Sequence, residues 1–189
     1  MLLRVASRRA AAAASRRQLT VAVTGASGYV GSYITEELLK RGHDVRALVR
    51  GCETNKEKAA HLQALPGAER LTLIDGGDLS IQGSFEAGLA GADAVVHAAA
   101  TVVIGRDPSI ASAAVDGVEN VLSSLPPECK TFVLTSSIAA VISLDKASLT
   151  FDEHDWNDYS SLKNGDAYGY GKTRAERRAS ERCENLNFV

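Results

Sequence analysis

From Leu19 onward, short runs of apolar and β-branched residues alternate with stretches in which apolar positions recur at helical spacing. Leu19 to Val23 is the first such run and it meets Thr24-Gly25. Tyr29 to Arg41 then places Val30, Tyr33, Ile34, Leu38 and Leu39 on one side of a predicted helix, which Gly42 terminates. The same reading predicts strands at Asp44 to Val49, Leu71 to Ile74, Ala94 to Ala98 and Thr131 to Leu134. Between and after them it predicts helices at Lys56 to Leu65, Ser84 to Leu89, Ser109 to Leu125 and about Asp166 to Asn185. Pro66-Gly67 and Pro126-Pro127 punctuate the pattern. Strands separated by helices imply right-handed crossovers and a parallel sheet covered on both faces, a doubly wound α/β domain without internal repeats.

Residues 1–18 stand apart from this pattern. They carry Arg4, Arg8, Arg9, Arg16 and Arg17, are rich in Ala and Ser, and contain no acid; the first acid in the chain is Glu36. An acid-free, arginine-rich and serine-containing N-terminus is the composition of an organelle transit peptide, directed to mitochondrion or plastid. On a helical wheel the arginines scatter, so an Ala/Arg-rich disordered leader without an address, on a cytoplasmic protein, stands as the alternative. Either way the segment is set aside, and residues 19–189 are read as one domain.

Length and composition narrow the function classes. With 189 residues, a formal net charge of −2, 45% hydrophobic and 23% charged residues, the chain fits a soluble globular protein. A basic nucleic-acid-binding domain is excluded by that balance, and the longest nearly apolar stretch, Ala92 to Ile104, is too short for a membrane span. Cys52, Cys129 and Cys183 are widely separated and lack a C-x-x-C pair, so neither a disulfide framework nor a metal site is expected.

Three signals carry chemistry. The first is Gly25-x-x-Gly28-x-x-Gly31, which follows the first strand and opens the first helix. Gly25 permits a tight turn, Gly28 lets a pyrophosphate approach the backbone, and Gly31 brings helix and sheet together; amides at the helix start favour the anion. The second is Arg50, 19 positions beyond Gly31, where a site for NAD usually offers an acid to the ribose 2′-hydroxyl. No acid lies between Asp44 and Glu53, and a guanidinium suits the 2′-phosphate of NADP, with Arg46, Lys56 or Lys58 as possible helpers. NADP is therefore expected over NAD.

The third signal is an acid/base pair. A tyrosine and a lysine four residues apart share a helix face, and the ammonium favours the phenolate left by proton donation. Two pairs have this spacing, Tyr159 with Lys163 and Tyr168 with Lys172. The first follows the polar stretch Asp152 to Asp158 and reads as loop; the second begins the last helix and is preferred. Thr135-Ser136-Ser137 ends the fifth strand, at the edge of the sheet where ligands of open α/β folds bind, and offers a hydroxyl to a substrate carbonyl.

Taken together, Thr24-Gly25-x-x-Gly28-x-x-Gly31, Asp78-Leu79, His97-Ala98-Ala99-Ala100, Thr135-Ser136-Ser137 and Tyr168-x-x-x-Lys172 resemble the extended short-chain dehydrogenase/reductases, the NAD-dependent epimerase/dehydratase family. Val45 to Arg50, Asp78-Leu79 followed by Gly83-Ser84-Phe85, and Asp152-Glu153 before Trp156 look most like its dihydroflavonol reductase and cinnamoyl-CoA reductase branch. The resemblance spans residues 19–189. It implies a Rossmann domain in which Ser137 polarises a carbonyl, Tyr168 donates a proton, and Lys172 assists the tyrosine and holds the nicotinamide ribose. Asp78 and Leu79 would contact adenine, Ala98, Ala99 and Ala100 would line the cofactor channel, and Tyr29 and Val30 would join the glycines at the cofactor.

Two departures accompany the resemblance. Ala113-Ala114-Val115-Asp116-Gly117 stands where some relatives carry an asparagine. Asn187-Phe188-Val189 falls where a sixth strand would begin, so the later strands and the substrate lobe of such proteins are expected to be missing. The leading reading is an NADP-dependent oxidoreductase acting on a small carbonyl or alcohol. A nucleotide-sugar epimerase or dehydratase is the other enzyme class. A non-catalytic dinucleotide-binding module and an incomplete product with an exposed sheet edge are the alternatives to catalysis.

Overall fold

The computed structural model describes residues 17–146 and 150–189. Of the leader, only Arg17 and Gln18 fall among them, so its assignment lies outside the described residues. The chain runs β1 (Thr20–Thr24), α1 (Tyr29–Lys40), β2 (Asp44–Leu48), α2 (Glu57–Gln63), β3 (Leu71–Ile74), α3 (Glu86–Leu89) and β4 (Ala94–His97). It continues with α4 (Pro108–Ser123), β5 (Thr131–Leu134), α5 (Ala167–Arg182) and β6 (Asn187–Phe188). All pairings are parallel, in the order β3-β2-β1-β4-β5-β6. The doubly wound sheet expected from the alternation is the one observed.

Alternation along β1 divides the core in two. Val21 and Val23 point to one face, where they meet Val45, Ala47, Leu39 of α1 and Leu62 of α2. Ala22 points to the other, which holds Val95, Phe132, Phe85 and Leu89 around α3, Val121 of α4, and Ala175 and Ala179 of α5. A sheet buried on both faces needs apolar residues at consecutive positions, which is why β1 and β4 read as unbroken runs.

Element ends shift by one to three residues from the sequence reading, several of them for local reasons. Leu19 stays outside β1 because its amide donates to the His43 ring, 3.2 Å away. α4 starts at Pro108 because Asp107 caps it, accepting from the Ser109 amide at 2.9 Å. Asp166 caps α5 rather than joining it, its carboxylate accepting from the Gly169 amide at 2.9 Å. At the far edge β6 pairs with β5, and the hydrogen bond from the Leu134 amide to the Val189 carbonyl, 2.8 Å, extends that pairing by one residue. Phe188 stacks on Phe132 with ring centroids 6.2 Å apart. The sheet therefore includes the beginning of the sixth strand. Cys52, Cys129 and Cys183 are buried and free. No helix among the described residues is long and apolar enough to cross a membrane.

The order of strands locates the site. From β1 the chain steps outward to β2 and β3, then returns to the other side of β1 at β4. Connections leaving β1 and β4 diverge, opening a crevice at their carboxyl ends.

Candidate active site

The crevice begins with three glycines, two of which have a geometry that forbids a side chain. Gly25 has φ 65°, and a Cβ there would lie 2.7 Å from the Ala99 amide nitrogen at the end of β4. At Gly31 a Cβ would lie 2.1 Å from the Gly25 carbonyl oxygen. Gly28 precedes α1 without a side-chain cap, and no acid occupies the first turn. The amides of Tyr29, Val30 and Gly31 therefore open toward whatever anion occupies the turn. Their side chains take no part: Tyr29 is 81% exposed and Val30 48% exposed, while Gly31 is buried against the loop.

Between the ends of β1, β2 and β4 lies a cleft of about 830 Å³, lined by Gly25, Gly28, Arg50, Asp78, Leu79, Ala98, Ala99 and Ala100 of the predicted residues. Its volume suits a small-molecule ligand of dinucleotide size. Gly31, Tyr29, Val30, Ser137, Tyr168 and Lys172 are not among the lining residues.

The corner of the cleft at Arg50 is held by two aspartates. Asp75 accepts from the amides of Glu53 and Gly51 at 3.0 and 2.6 Å, bonds that hold its carboxyl below the usual range and fix the turn after Arg50. Asp78 accepts from the Ser80 hydroxyl and amide at 2.6 and 2.9 Å and from Arg50 at 3.0 Å. Those partners, the Ser80 hydroxyl foremost, bring its carboxyl down to about 2. Arg50 is thus paired with Asp78 while 72% of its side chain faces solvent. Lys58 donates to the Arg50 carbonyl at 3.2 Å and also lines the cleft. Arg46 is not a helper at this corner. Its guanidinium donates to the Gly88 and Ala87 carbonyls at 2.9 and 3.0 Å, closing the end of α3.

Between β1 and β4 sits His97, buried, with its ring edge to Phe85 and stacked on Phe132. The Ala99 amide donates to Thr24 Oγ1 at 3.2 Å, and the same hydroxyl shares a hydrogen bond with His97 Nδ1, 2.7 Å away. Burial, with a smaller push from the Lys172 ammonium, lowers the imidazole to about 4, and it stands uncharged at neutral pH.

The hydroxyls after β5 divide their roles. Ser136 donates to Glu176 of α5. Ser137 opens the short 3-10 turn Ile138–Ala140, and its Oγ accepts from the Ala139 amide at 3.2 Å. With its oxygen engaged by that amide, the Ser137 proton is available to a ligand. Tyr168 and Lys172 both lie on α5, whereas Tyr159 and Lys163 lie in the preceding loop, with Tyr159 45% exposed. That loop is tied to both halves of the site through Asn157. Its side chain donates to the Ala139 carbonyl and to Ser160 Oγ, both at 2.7 Å, and its carbonyl accepts from Thr173 Oγ1 at 3.4 Å. Ser160 in turn donates to the α5 cap Asp166 at 2.5 Å.

Several participants escaped the sequence reading. Ser109, Ser112 and Asp116 of α4 line the cleft, and their spacing of three and four is the signal that puts them on one helix face. Asn120 donates to the Leu79 carbonyl at 2.7 Å and steadies that loop. Ile138 and Leu144, 75% and 79% exposed, leave apolar surface beyond β5.

Known proteins resemble the chain throughout this region. It is 35% identical over 181 residues to dihydroflavonol 4-reductase of Arabidopsis thaliana, a match covering 90% of this chain and 47% of that protein. Vestitone reductase from alfalfa superposes with a TM-score of 0.73 at 31% identity, covering 91% of this chain and 55% of the other. Gre2 from Candida albicans, solved in complex with NADPH, superposes with a TM-score of 0.74 at 26% identity, covering 90% and 55%. The chain spans about half the length of the relatives it matches. The profile of the NAD dependent epimerase/dehydratase family matches residues 21–188, and the chain belongs to that family.

Proposed function

We propose that this chain is the cofactor-binding and proton-donating part of an NADPH-dependent reductase of small carbonyl compounds, running in reverse as an alcohol dehydrogenase. Bound NADPH supplies the hydride. The residues present fit that cofactor: the uncapped start of α1 accepts the pyrophosphate, the cleft accommodates the length of a dinucleotide, and Ala98 to Ala100 flank its middle. Asp78 and Leu79 stand at the adenine, and Arg50 with Lys58 at the 2′-phosphate. An exposed ion pair such as Arg50 with Asp78 is worth about 0–1 kcal/mol, so a phosphate dianion displaces the carboxylate at small cost.

At the other end, Ser137 donates its free proton to the substrate oxygen. Tyr168 passes its hydroxyl proton to the same oxygen as the carbonyl carbon is reduced. Lys172 holds the nicotinamide ribose and stabilises the phenolate that remains, and the uncharged His97 adds no second positive charge beside it. The observation that carries this reading is the pairing of a serine whose oxygen is occupied and whose proton is not with a tyrosine-lysine helix capped in place beside it. Titration of the chain with NADPH and NADH, followed by cofactor fluorescence, tests it. NADPH should bind at least about 10-fold tighter, a difference of ~1.4 kcal/mol. Tighter binding of NADH would favour the epimerase class and overturn the cofactor assignment.

A further inference from the structure

Tyr168, Lys172 and Glu176 occupy successive turns of α5 and share one face. That face looks toward the carboxyl end of β5: Glu176 accepts a hydrogen bond from Ser136, directly after that strand. The other anchors of α5 hold different sides of it. Gly171 lies so close to α4 that a Cβ there would be 2.7 Å from the Ala111 Cα. Arg178 pairs with Glu119 of α4, and the Ala167 amide donates to the Gly105 carbonyl at 3.2 Å. Among the described residues, Ser136 to Glu176 is the side-chain hydrogen bond that joins α5 directly to the Thr135-Ser136-Ser137 segment.

We infer that Glu176, through Ser136, is a positioning residue that sets where Lys172 and Tyr168 stand relative to Ser137 and to the nicotinamide half of the cofactor. The inference rests on the proposed cofactor reading and adds to it a residue two turns beyond the tyrosine. A charge-assisted bond between a serine hydroxyl and a half-buried carboxylate is short and directional, so it fixes the distance from strand end to helix more tightly than apolar packing does. Ser136 and Ser137 are adjacent, and a shift in the first moves the second. Displacements of an ångström at a reacting centre cost on the order of 10²-fold in rate, which gives such a latch its value. Glu176 touches neither substrate nor cofactor in this scheme.

The test compares the whole cofactor with its adenosine half. Dissociation constants for NADPH and for 2′,5′-ADP are measured on the chain and on S136A, E176A, E176Q and the S136A/E176A double variant. S136A and E176A should each weaken NADPH by about 5- to 10-fold, the size of one hydrogen bond, while 2′,5′-ADP changes by less than about 2-fold. The double variant should be no weaker than either single one, because both substitutions remove the same contact. E176Q keeps an accepting oxygen and should stay within about 3-fold of the parent. An unchanged ratio of the two affinities, an equal loss for both ligands, or additive losses in the double variant would overturn the inference. Failure of the parent chain to bind either ligand would instead overturn the cofactor reading itself.

Discussion

The glycine turn of the cleft and the proposed reaction end beyond β5, which does not line it, are built by different means. At the glycine turn, backbone meets backbone: Gly25 approaches Ala99, Gly31 approaches the Gly25 carbonyl, and the binding groups are amides. At the reaction end, side chains hold side chains: Ser136 with Glu176, Asn157 with Ser160, Ser160 with Asp166. The first arrangement tolerates no added atom and needs no partner. The second tolerates small changes but depends on every member. Binding should therefore be lost in one step at the glycines and eroded stepwise at the network.

The largest effect expected is at the reaction end. Replacing Tyr168 by Phe removes the proposed proton donor and should lower NADPH-dependent turnover by about 10³-fold, in the range of a lost general acid. NADPH affinity should hold within about 2-fold, and a parallel loss of binding would place the tyrosine in the cofactor site instead. At the opposite end, Gly31→Ala forces a Cβ into the Gly25 carbonyl. It should abolish measurable NADPH binding and cost about 3 kcal/mol of stability by denaturant titration, as overpacking with backbone displacement does. Retained affinity would show that the turn can yield, and the contrast between the two ends would fail.

His97 links the ends, and acid should loosen it. Its folded-state value near 4 lies below the ordinary 6.5, so the unfolded chain binds the extra proton between these values. The stabilisation is complete above pH 6.5, falls as pH drops through that window, and is gone near pH 4. On the order of 3 kcal/mol is at stake. Denaturant midpoints measured across this range should fall in the parent and stay nearly level in His97→Phe over the same interval; a level parent curve would contradict the buried neutral ring. The smallest effect is expected at the exposed corner. Arg50→Asp should shift the NADPH to NADH affinity ratio by about 10- to 100-fold toward NADH. An unchanged ratio would pass the role to Lys58.

The difference between the ends also governs what could be read in advance. The alternation of strands with helices and the glycine spacing are local facts, written as short apolar runs and a fixed interval of three, and both emerged from the sequence alone, whereas the order of the strands did not. Tyr168 could be preferred over Tyr159 for the same reason, since helical continuation is local. Composition and spacing did not separate Ser136 from Ser137, and only the family resemblance picked out Ser137, because the residue that engages Ser136, Glu176, is 40 positions away. Arg46 and Arg50 both looked like candidate phosphate ligands. Only contacts across the fold, Arg46 to Gly88 and Arg50 to Asp78, assign one to structure and the other to the cleft. Asn157 sits in a polar stretch that reads as solvated loop, yet it is buried. Long-range polar contacts carry no periodic signature, and the reaction end consists of little else.

The pairing of Arg50 with Asp78 has an effect on selectivity among anions. A bare guanidinium at the mouth of a cleft would attract chloride, sulfate or any stray phosphate. With a carboxylate lodged against it, the corner presents one net positive charge, that of Lys58, rather than two. Small ions gain too little there to dislodge the carboxylate. Only a molecule already seated through its purine and pyrophosphate brings its phosphate to that spot at high effective concentration, so the corner answers to a tethered charge and ignores a free one.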